Sequence, residues 1–248
     1  MLSNYTIWIG LPTFNEENAI KKVLKSIVNL KKKNKKRIIK IIIFNDGSKD
    51  KTIKYAKNFQ NNLNLNIIDN KKNQGLGIAI YSLILYFKKK SKKNDKLVLM
   101  DCDNTHNPNQ ILEMVKKGQK KKNFVVIASR YQKDSKVKNV PFIRNILSDT
   151  AFFVFNIFFK TKGIKDFTSG YRLYDKSAIN NFFYITGKKY IPSSGFEMQL
   201  EIILKLRKTN VQFYEIPINL NYQKKPTKSK MKISKTILGY LKLILIKN

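Results

Sequence analysis

Apolar runs of strand length alternate with amphipathic stretches of helical length through the first 130 residues. Thr6 to Leu11 is a short apolar strand that stops at Pro12, and beyond it Ile20, Val23, Leu24, Ile27 and Val28 recur at helical spacing. Ile38 to Phe44 is a β-branched run, which predicts a strand buried on both faces, and it ends at Asn45-Asp46-Gly47-Ser48. A polar helix from about Asp50 to Phe59 leads to a strand at Leu65 to Ile68. The loop Asn73 to Gly77 then opens a helix over Ile78 to Phe87. Lys96 to Met100 reads as a strand, about Asn109 to Lys117 as a helix and Phe124 to Ala128 as a further strand.

This order predicts an α/β fold with a mainly parallel sheet and helices on both faces. Ligands of such sheets bind beyond the carboxyl ends of the strands. Those ends carry Pro12 to Glu16, Asp46 to Ser48, Asp101 to Asp103 and Ser129-Arg130, so the polar residues are expected on one edge. After Arg130 the pattern changes. An aromatic-rich helix runs to Phe159, Asp166 to Asp175 reads as a loop, and a helix from about Phe196 to Lys208 precedes a strand at Val211 to Ile218. The predicted organisation is one domain over residues 1–225, followed by a basic amphipathic segment, 226–248.

Composition narrows the chemistry. Cys102 and His106 are the only residues of their kinds, so a disulfide framework and a Cys/His zinc site are excluded, and a hydrolase triad would have to use His106. Any bound metal is expected on oxygen ligands. Met1 to Gly10 lacks the basic start and apolar stretch of a signal peptide. Apolar runs such as Ala151 to Phe155 and Leu243 to Ile246 fall short of the roughly 18 to 20 residues that span a bilayer. The expectation is a cytoplasmic protein without a transmembrane helix, peripheral on a membrane surface. Formal net charge is +34, yet only five of the 50 basic residues are arginine: Arg37, Arg130, Arg144, Arg172 and Arg207. Lysine excess suits an anionic partner, and it equally suits a solvated surface of permissive composition.

The strongest local signal is Asp101-Cys102-Asp103 after the run Leu97 to Met100. Two carboxylates at a strand end suit a hard divalent cation on phosphate, although a solvated turn or a helix cap gives the same spacing. Gly75-x-Gly77 lacks both the dinucleotide fingerprint and the P-loop Gly-Lys-Ser/Thr. It reads as a tight turn whose backbone is able to approach a ligand.

In order and spacing, Pro12-Thr13-Phe14-Asn15-Glu16, Asn45 to Asp50, Asn73 to Gly77 and Asp101-Cys102-Asp103 resemble the family 2 glycosyltransferases with the GT-A fold. Ser129-Arg130-Tyr131, Arg144 with Ser148, Asp166 to Arg172 and Ser229-Lys230-Met231 narrow the likeness to the dolichyl- or polyprenyl-phosphate sugar synthases. The resemblance implies transfer of a sugar from a nucleotide diphosphate sugar (GDP-mannose or a UDP-sugar) to a polyprenyl phosphate, with inversion. It further implies that Pro12, Phe14, Glu16 and Asp46 hold the nucleoside, with Gly75 nearby. By the same match, Asp101 and Asp103 bind Mg²⁺ or Mn²⁺, and Arg130, Arg144 and Ser148 hold the acceptor phosphate. Asp166 to Arg172 would form part of the sugar and phosphate pocket, and Lys230 would lie near the phosphates. Asp103, Arg130, Arg144 and Arg172 are thus the expected catalytic set. Lys224 and Thr227 stand where the subgroup often has Arg and Gly.

An acceptor phosphate is already an anion near neutral pH, so attack needs positioning more than a general base. Arginine's planar fork matches phosphate, a reason for Arg130, Arg144 and Arg172 to be arginine in a lysine-rich chain. Cys102 reads as a buried small residue and His106 as local structure. Ile237, Leu238, Leu241, Ile244 and Leu245 fall at helical spacing among lysines, which suits a helix in the membrane interface or one packed on the core. Two other readings stand beside the first. One is a family 2 transferase acting on a glycan hydroxyl, with Glu197 or Glu201 as base. The other is a basic nucleic-acid-binding protein, which the clustered acids disfavour because they repel phosphate.

Overall fold

The computed structural model describes residues 5–226 and 230–245. A seven-stranded sheet forms the centre. Its strands are β1 (Thr6–Thr13), β2 (Ile38–Asp46), β3 (Asn64–Asn70), β4 (Lys96–Leu99), β5 (Phe124–Ser129), β7 (Arg172–Asp175) and β8 (Gln212–Pro217), in the order β3-β2-β1-β4-β7-β5-β8. All pairings are parallel except those of β7, which runs antiparallel between β4 and β5. A second sheet pairs β6 (Lys136–Lys138) with β9 (Asn219–Asn221).

The predicted strands and helices of the first 130 residues are present, displaced by a few residues at their ends. Helices α1 (Glu17–Lys33) and α4 (Gln110–Lys117) pack Ile20, Val23, Leu24, Ile27, Ile111 and Met114 on one face of the sheet. On the other face lie α3 (Leu76–Lys90), α6 (Lys176–Thr186) and α7 (Met198–Leu206), with Ile80, Leu83, Phe87, Phe182, Ile202 and Ile203 in the core. Helix α2 (Thr52–Lys57) follows β2, and α5 (Phe142–Phe159) and α8 (Ile233–Leu245) complete the second layer. Tyr240 of α8 meets Phe155 of α5 edge to face at 5.0 Å.

Two expectations need correction. The segment read as a loop from Asp166 to Asp175 ends in β7, whose four residues are all buried. Long-range pairing with β4 and β5 makes this strand, and so short a segment leaves no periodic signal. Separately, α5 is 18 residues long with a mean hydropathy of 1.3, long and apolar enough to cross a membrane by length and composition. The individual runs hid this because Arg144, Asn145, Ser148 and Asp149 interrupt them. Only 11% of the helix is buried, and Phe142, Ile143, Ile146, Phe153, Ile157 and Phe158 are exposed.

The glycine loop between β3 and α3 is set by a long-range contact. Gly75 has a φ of 99°, where a side chain is strained, and Gly77 N donates to Ser194 O at 2.8 Å. A methyl at Gly77 would collide with the Ser193 carbonyl. Gly77→Ala is therefore expected to destabilise the fold by about 1–3 kcal/mol, read from the urea midpoint.

Candidate active site

The parallel strands end on one edge, and their C-terminal residues open into a cleft of about 970 Å³. Pro12, Phe14, Glu16, Asp46, Gly75, Asp101, Asp103, Arg130, Arg144, Ser148 and Lys230 all line it. Most of the residues expected from sequence thus meet in one place. Helices α5 and α8 supply an apolar wall that includes Val154, Phe155, Ile237, Leu241 and Ile244.

At the nucleoside end implied by the motifs, Asp46 is buried and already engaged. Its carboxylate accepts from Gln74 N and Gly75 N, both at 2.8 Å, so it fixes the glycine loop. Glu16 accepts from Lys230 Nζ at 2.6 Å, and the same ammonium donates to the carbonyls of Phe14 and Asn15. Burial nevertheless raises the Glu16 pKa above its usual value, outweighing Lys230. Ser229 and Thr227 lie outside the described residues.

At the end of β4, Asp103 Oδ1 accepts from Thr105 N at 3.0 Å and from Thr105 Oγ1 at 2.6 Å. Its Oδ2 lies 2.5 Å from Lys225 Nζ. Burial alone would push the Asp103 carboxyl up; the Lys225 ammonium reverses this and holds it below the ordinary range. Asp101 is pushed up by burial and by the neighbouring Asp103 charge. Lys225 escaped the sequence reading, which noted Lys224 instead; 122 residues separate it from Asp103, and nothing local signals the contact.

Two adjacent carboxylates with an ammonium drawn to one of them form a seat for positive charge. No group of three or more His, Cys, Asp or Glu side chains among the described residues could enclose a metal alone. The pair therefore fits a hard cation such as Mg²⁺ or Mn²⁺ that takes its other oxygens from water and a diphosphate. His106 has the local role expected of it: Nδ1 accepts from Asp101 N at 3.1 Å, and the ring stacks on Tyr171 at 4.7 Å. Cys102 is buried, and burial raises its thiol pKa.

Across the cleft, Arg130 faces Ser148. Its Nε and Nη2 donate to Asp166 Oδ2 and Oδ1 at 2.9 and 2.7 Å, Nη2 also meets Thr168 Oγ1, and Nη1 donates to Ser148 Oγ at 2.9 Å. The expectation of a guanidinium fork on phosphate is thus corrected for Arg130, because Asp166 occupies that fork. Asp166 is likewise beneath the cleft, 1% exposed, and holds Arg130 instead of lining the pocket. Burial pushes its carboxyl up, and the Arg130 guanidinium overrides this to hold it below the usual range. Arg144 Nη1 donates to Tyr222 Oη at 2.6 Å.

Arg172 is the clearest departure. It is fully buried in β7, away from the lining, and donates to Gln199 O at 2.6 Å and Phe167 O at 2.8 Å. Its chemistry is that of a brace, not of a catalytic residue. Gln199, Tyr131, Phe196 and Tyr222 line the cleft although sequence motifs gave them no role. Glu197 and Glu201 do not line it: Glu201 Oε2 accepts from Ser193 N and Glu197 Oε1 from Gly195 N, each at 3.1 Å.

Residues 8–183 match the family model described as glycosyl transferase family 2. The chain is 31% identical over 239 residues to a dolichol-phosphate mannosyltransferase of Pyrococcus furiosus, covering 94% of this chain and 61% of that protein. It is 26% identical over 236 residues to a dolichyl-phosphate beta-glucosyltransferase of Dictyostelium discoideum, covering 88% and 67%. Among solved structures, glucosyl-3-phosphoglycerate synthase from Mycobacterium tuberculosis in complex with Mn²⁺, UDP and phosphoglyceric acid superposes with a TM-score of 0.63. That likeness covers 96% of this chain and 76% of the other at 14% identity, and it establishes the shared GT-A fold.

Removing one partner of the Arg130–Asp166 pair leaves a buried charge unmatched. Asp166→Asn is expected to cost about 3–5 kcal/mol, measured by chemical denaturation. The carboxyl is held low in the folded protein, so its contribution is whole at neutral pH and is lost as pH falls through a folded pKa below 3.8. The variant should accordingly have a flatter stability profile than the parent over acid pH.

Proposed function

The chain belongs to glycosyltransferase family 2, and from that premise we propose that it moves a sugar from a nucleotide diphosphate sugar to a polyprenyl phosphate such as dolichyl phosphate. One observation carries the reading: a single cleft joins the strand-end carboxylates, the Arg130, Arg144 and Ser148 cluster, and an apolar wall from α5 and α8. A soluble glycan has no use for such a wall, whereas a lipid-linked phosphate needs both polar and apolar surfaces. Glu197 and Glu201, the bases a glycan hydroxyl would call for, point their carboxylates at backbone amides elsewhere.

In this reading the nucleoside lies along Pro12, Phe14 and Glu16, beside the loop that Asp46 fixes. Asp101 and Asp103 hold the divalent cation, which when bound offsets charge building on the leaving diphosphate. Lys225, 2.5 Å from Asp103 Oδ2, would supply a second positive charge beside the diphosphate. The acceptor phosphate is positioned by Arg144, Arg130 Nη1 and the Ser148 hydroxyl. Arg130 is held rigid by Asp166, so no reorganisation is needed when the phosphate arrives. The phosphate oxygen attacks the anomeric carbon as the bond from that carbon to the diphosphate oxygen breaks, so the nucleoside diphosphate leaves with the electron pair in a single inverting displacement, and no side chain has to remove a proton.

The same reading places the protein on the cytoplasmic face of a membrane. Exposed Phe142, Ile146, Phe153 and Ile157 on α5 and Leu238 and Leu245 on α8 offer apolar surface beside lysines such as Lys235 and Lys242.

Two experiments test this. Purified protein with radiolabelled UDP- and GDP-sugars, short-chain polyprenyl phosphate and Mg²⁺ or Mn²⁺ should form a lipid-linked sugar, and Asp103→Ala and Arg144→Ala should each lower the rate at least a hundredfold. Turnover on a glycan acceptor with none on the lipid phosphate would overturn the proposal. For the membrane, Leu238→Glu combined with Leu245→Glu should weaken binding to anionic phospholipid vesicles by about tenfold or more. Unchanged binding in a flotation assay would reject a docking role for α8.

A further inference from the structure

Two buried side-chain oxygens on residues of the cleft wall lack a hydrogen-bond partner among the described residues, Glu16 Oε2 and Gln199 Oε1. Glu16 shares its charge with Lys230. Gln199 is neutral, 4% exposed, and flanked in sequence by the core residues Met198 and Leu200. Leucine or methionine at 199 would spare the fold a buried carboxamide with unmade hydrogen bonds, so the amide calls for a reason.

Its position is held from behind. Arg172 Nη1 donates to the Gln199 carbonyl at 2.6 Å while Nη2 donates to Phe167 O, tying α7 to the loop before β7. In front, Gly170 keeps space open. A Cβ there would lie 3.3 Å from Gln199 Nε2 and 3.5 Å from Asp101 Oδ1. The carboxamide and the strand-end carboxylate therefore border one gap, at the Asp101 end of the cleft, where the reading above puts the diphosphate.

A carboxamide offers an acceptor and two donors in one plane, and its terminal torsion is broadly two-fold, so either end can turn to a ligand. A hydroxyl both gives and takes a hydrogen bond. A phosphate oxygen only accepts, and a polyprenyl chain does neither. Next to the diphosphate end, the hydroxyls within reach are those of the sugar being transferred. We propose that Gln199 recognises a hydroxyl of that sugar and that Gly170 preserves the room for it, with Arg172 as the positioning residue behind both. This rests on the nucleotide-sugar reading above. A site built to bond a hydroxyl discriminates strongly against a ligand that lacks it.

Calorimetric titration of wild type, Gln199→Met and Gly170→Ala with a panel of UDP- and GDP-linked hexoses, and with UDP and GDP alone, in the presence of Mg²⁺, tests this. Both variants should bind the preferred nucleotide sugar about tenfold or more weakly than wild type, and the free nucleoside diphosphate within twofold. Methionine matches glutamine in length and helix propensity, and thermal unfolding checks that each variant is folded. Equal weakening for sugar nucleotide and free nucleotide would reduce Gln199 to a support of the fold and overturn the proposal, as would unchanged affinity for both. If the wild type binds UDP or GDP but gains nothing from any attached hexose, or binds no nucleotide of either kind, the nucleotide-sugar reading itself fails and this inference fails with it.

Discussion

Glu16, Asp46, Asp101 and Asp103 bring four carboxylates to one edge of a sheet in a chain whose formal charge is +34. Like charges at this spacing repel, and burial adds to the cost of each. The surroundings differ carboxylate by carboxylate. Backbone amides of the glycine loop satisfy Asp46, Lys230 faces Glu16, and Lys225 with Thr105 satisfies Asp103. At Asp101, burial and the neighbouring Asp103 charge raise the carboxyl pKa. Two carboxylates so close together at one strand end are the electrostatic condition for taking up a cation and the anionic group that travels with it.

Opposite this acidic edge, the Arg130–Asp166 pair reverses the logic. Here the carboxylate is the buried support and the guanidinium faces the cleft through a single nitrogen. Asp166 also gathers the backbone amides of Arg130, Thr168 and Ser169, so one carboxylate fixes the end of β5 and the loop before β7. Glu215 extends the arrangement by accepting from the amides of Lys165 and Asp166. An arginine anchored in this way acts as a fixed dipole and charge, and it contributes orientation more than a bidentate grip.

Sequence alone revealed the strand ends because those parts of the fold are local. A β-branched run such as Ile38 to Phe44 announces a buried strand, and the polar residue that follows it must lie at the sheet edge. The parallel order then brings those ends together. What stayed hidden depends on distant partners. Arg-Leu-Tyr-Asp at 172–175 becomes β7 only between β4 and β5, and Arg172 consequently points into the interior and not into the cleft. Lys225 reaches Asp103 across 122 residues, and Gly77 is needed because Ser193 and Ser194 pack against its loop. Arg172 is one of only five arginines in a lysine-rich chain. Its type could not say whether the fork meets a ligand or a backbone carbonyl.

The lysine surplus takes on a narrower meaning in this setting. Lysines such as Lys21, Lys25, Lys89 and Lys116 sit on exposed faces of α1, α3 and α4, where solvent screens them and the fold is indifferent to their identity. Lys225 and Lys230 differ because they enter the cleft from a single segment and neutralise carboxylates that would otherwise be unmatched. A chain with so few acids has concentrated several of them where two lysines from the segment before α8 can reach. That segment also leads into the helix that walls the apolar side of the cleft. Lys225 and Lys230 at the carboxylates and Ile237, Leu241 and Ile244 at the apolar wall thus all come from the C-terminal part of the described chain.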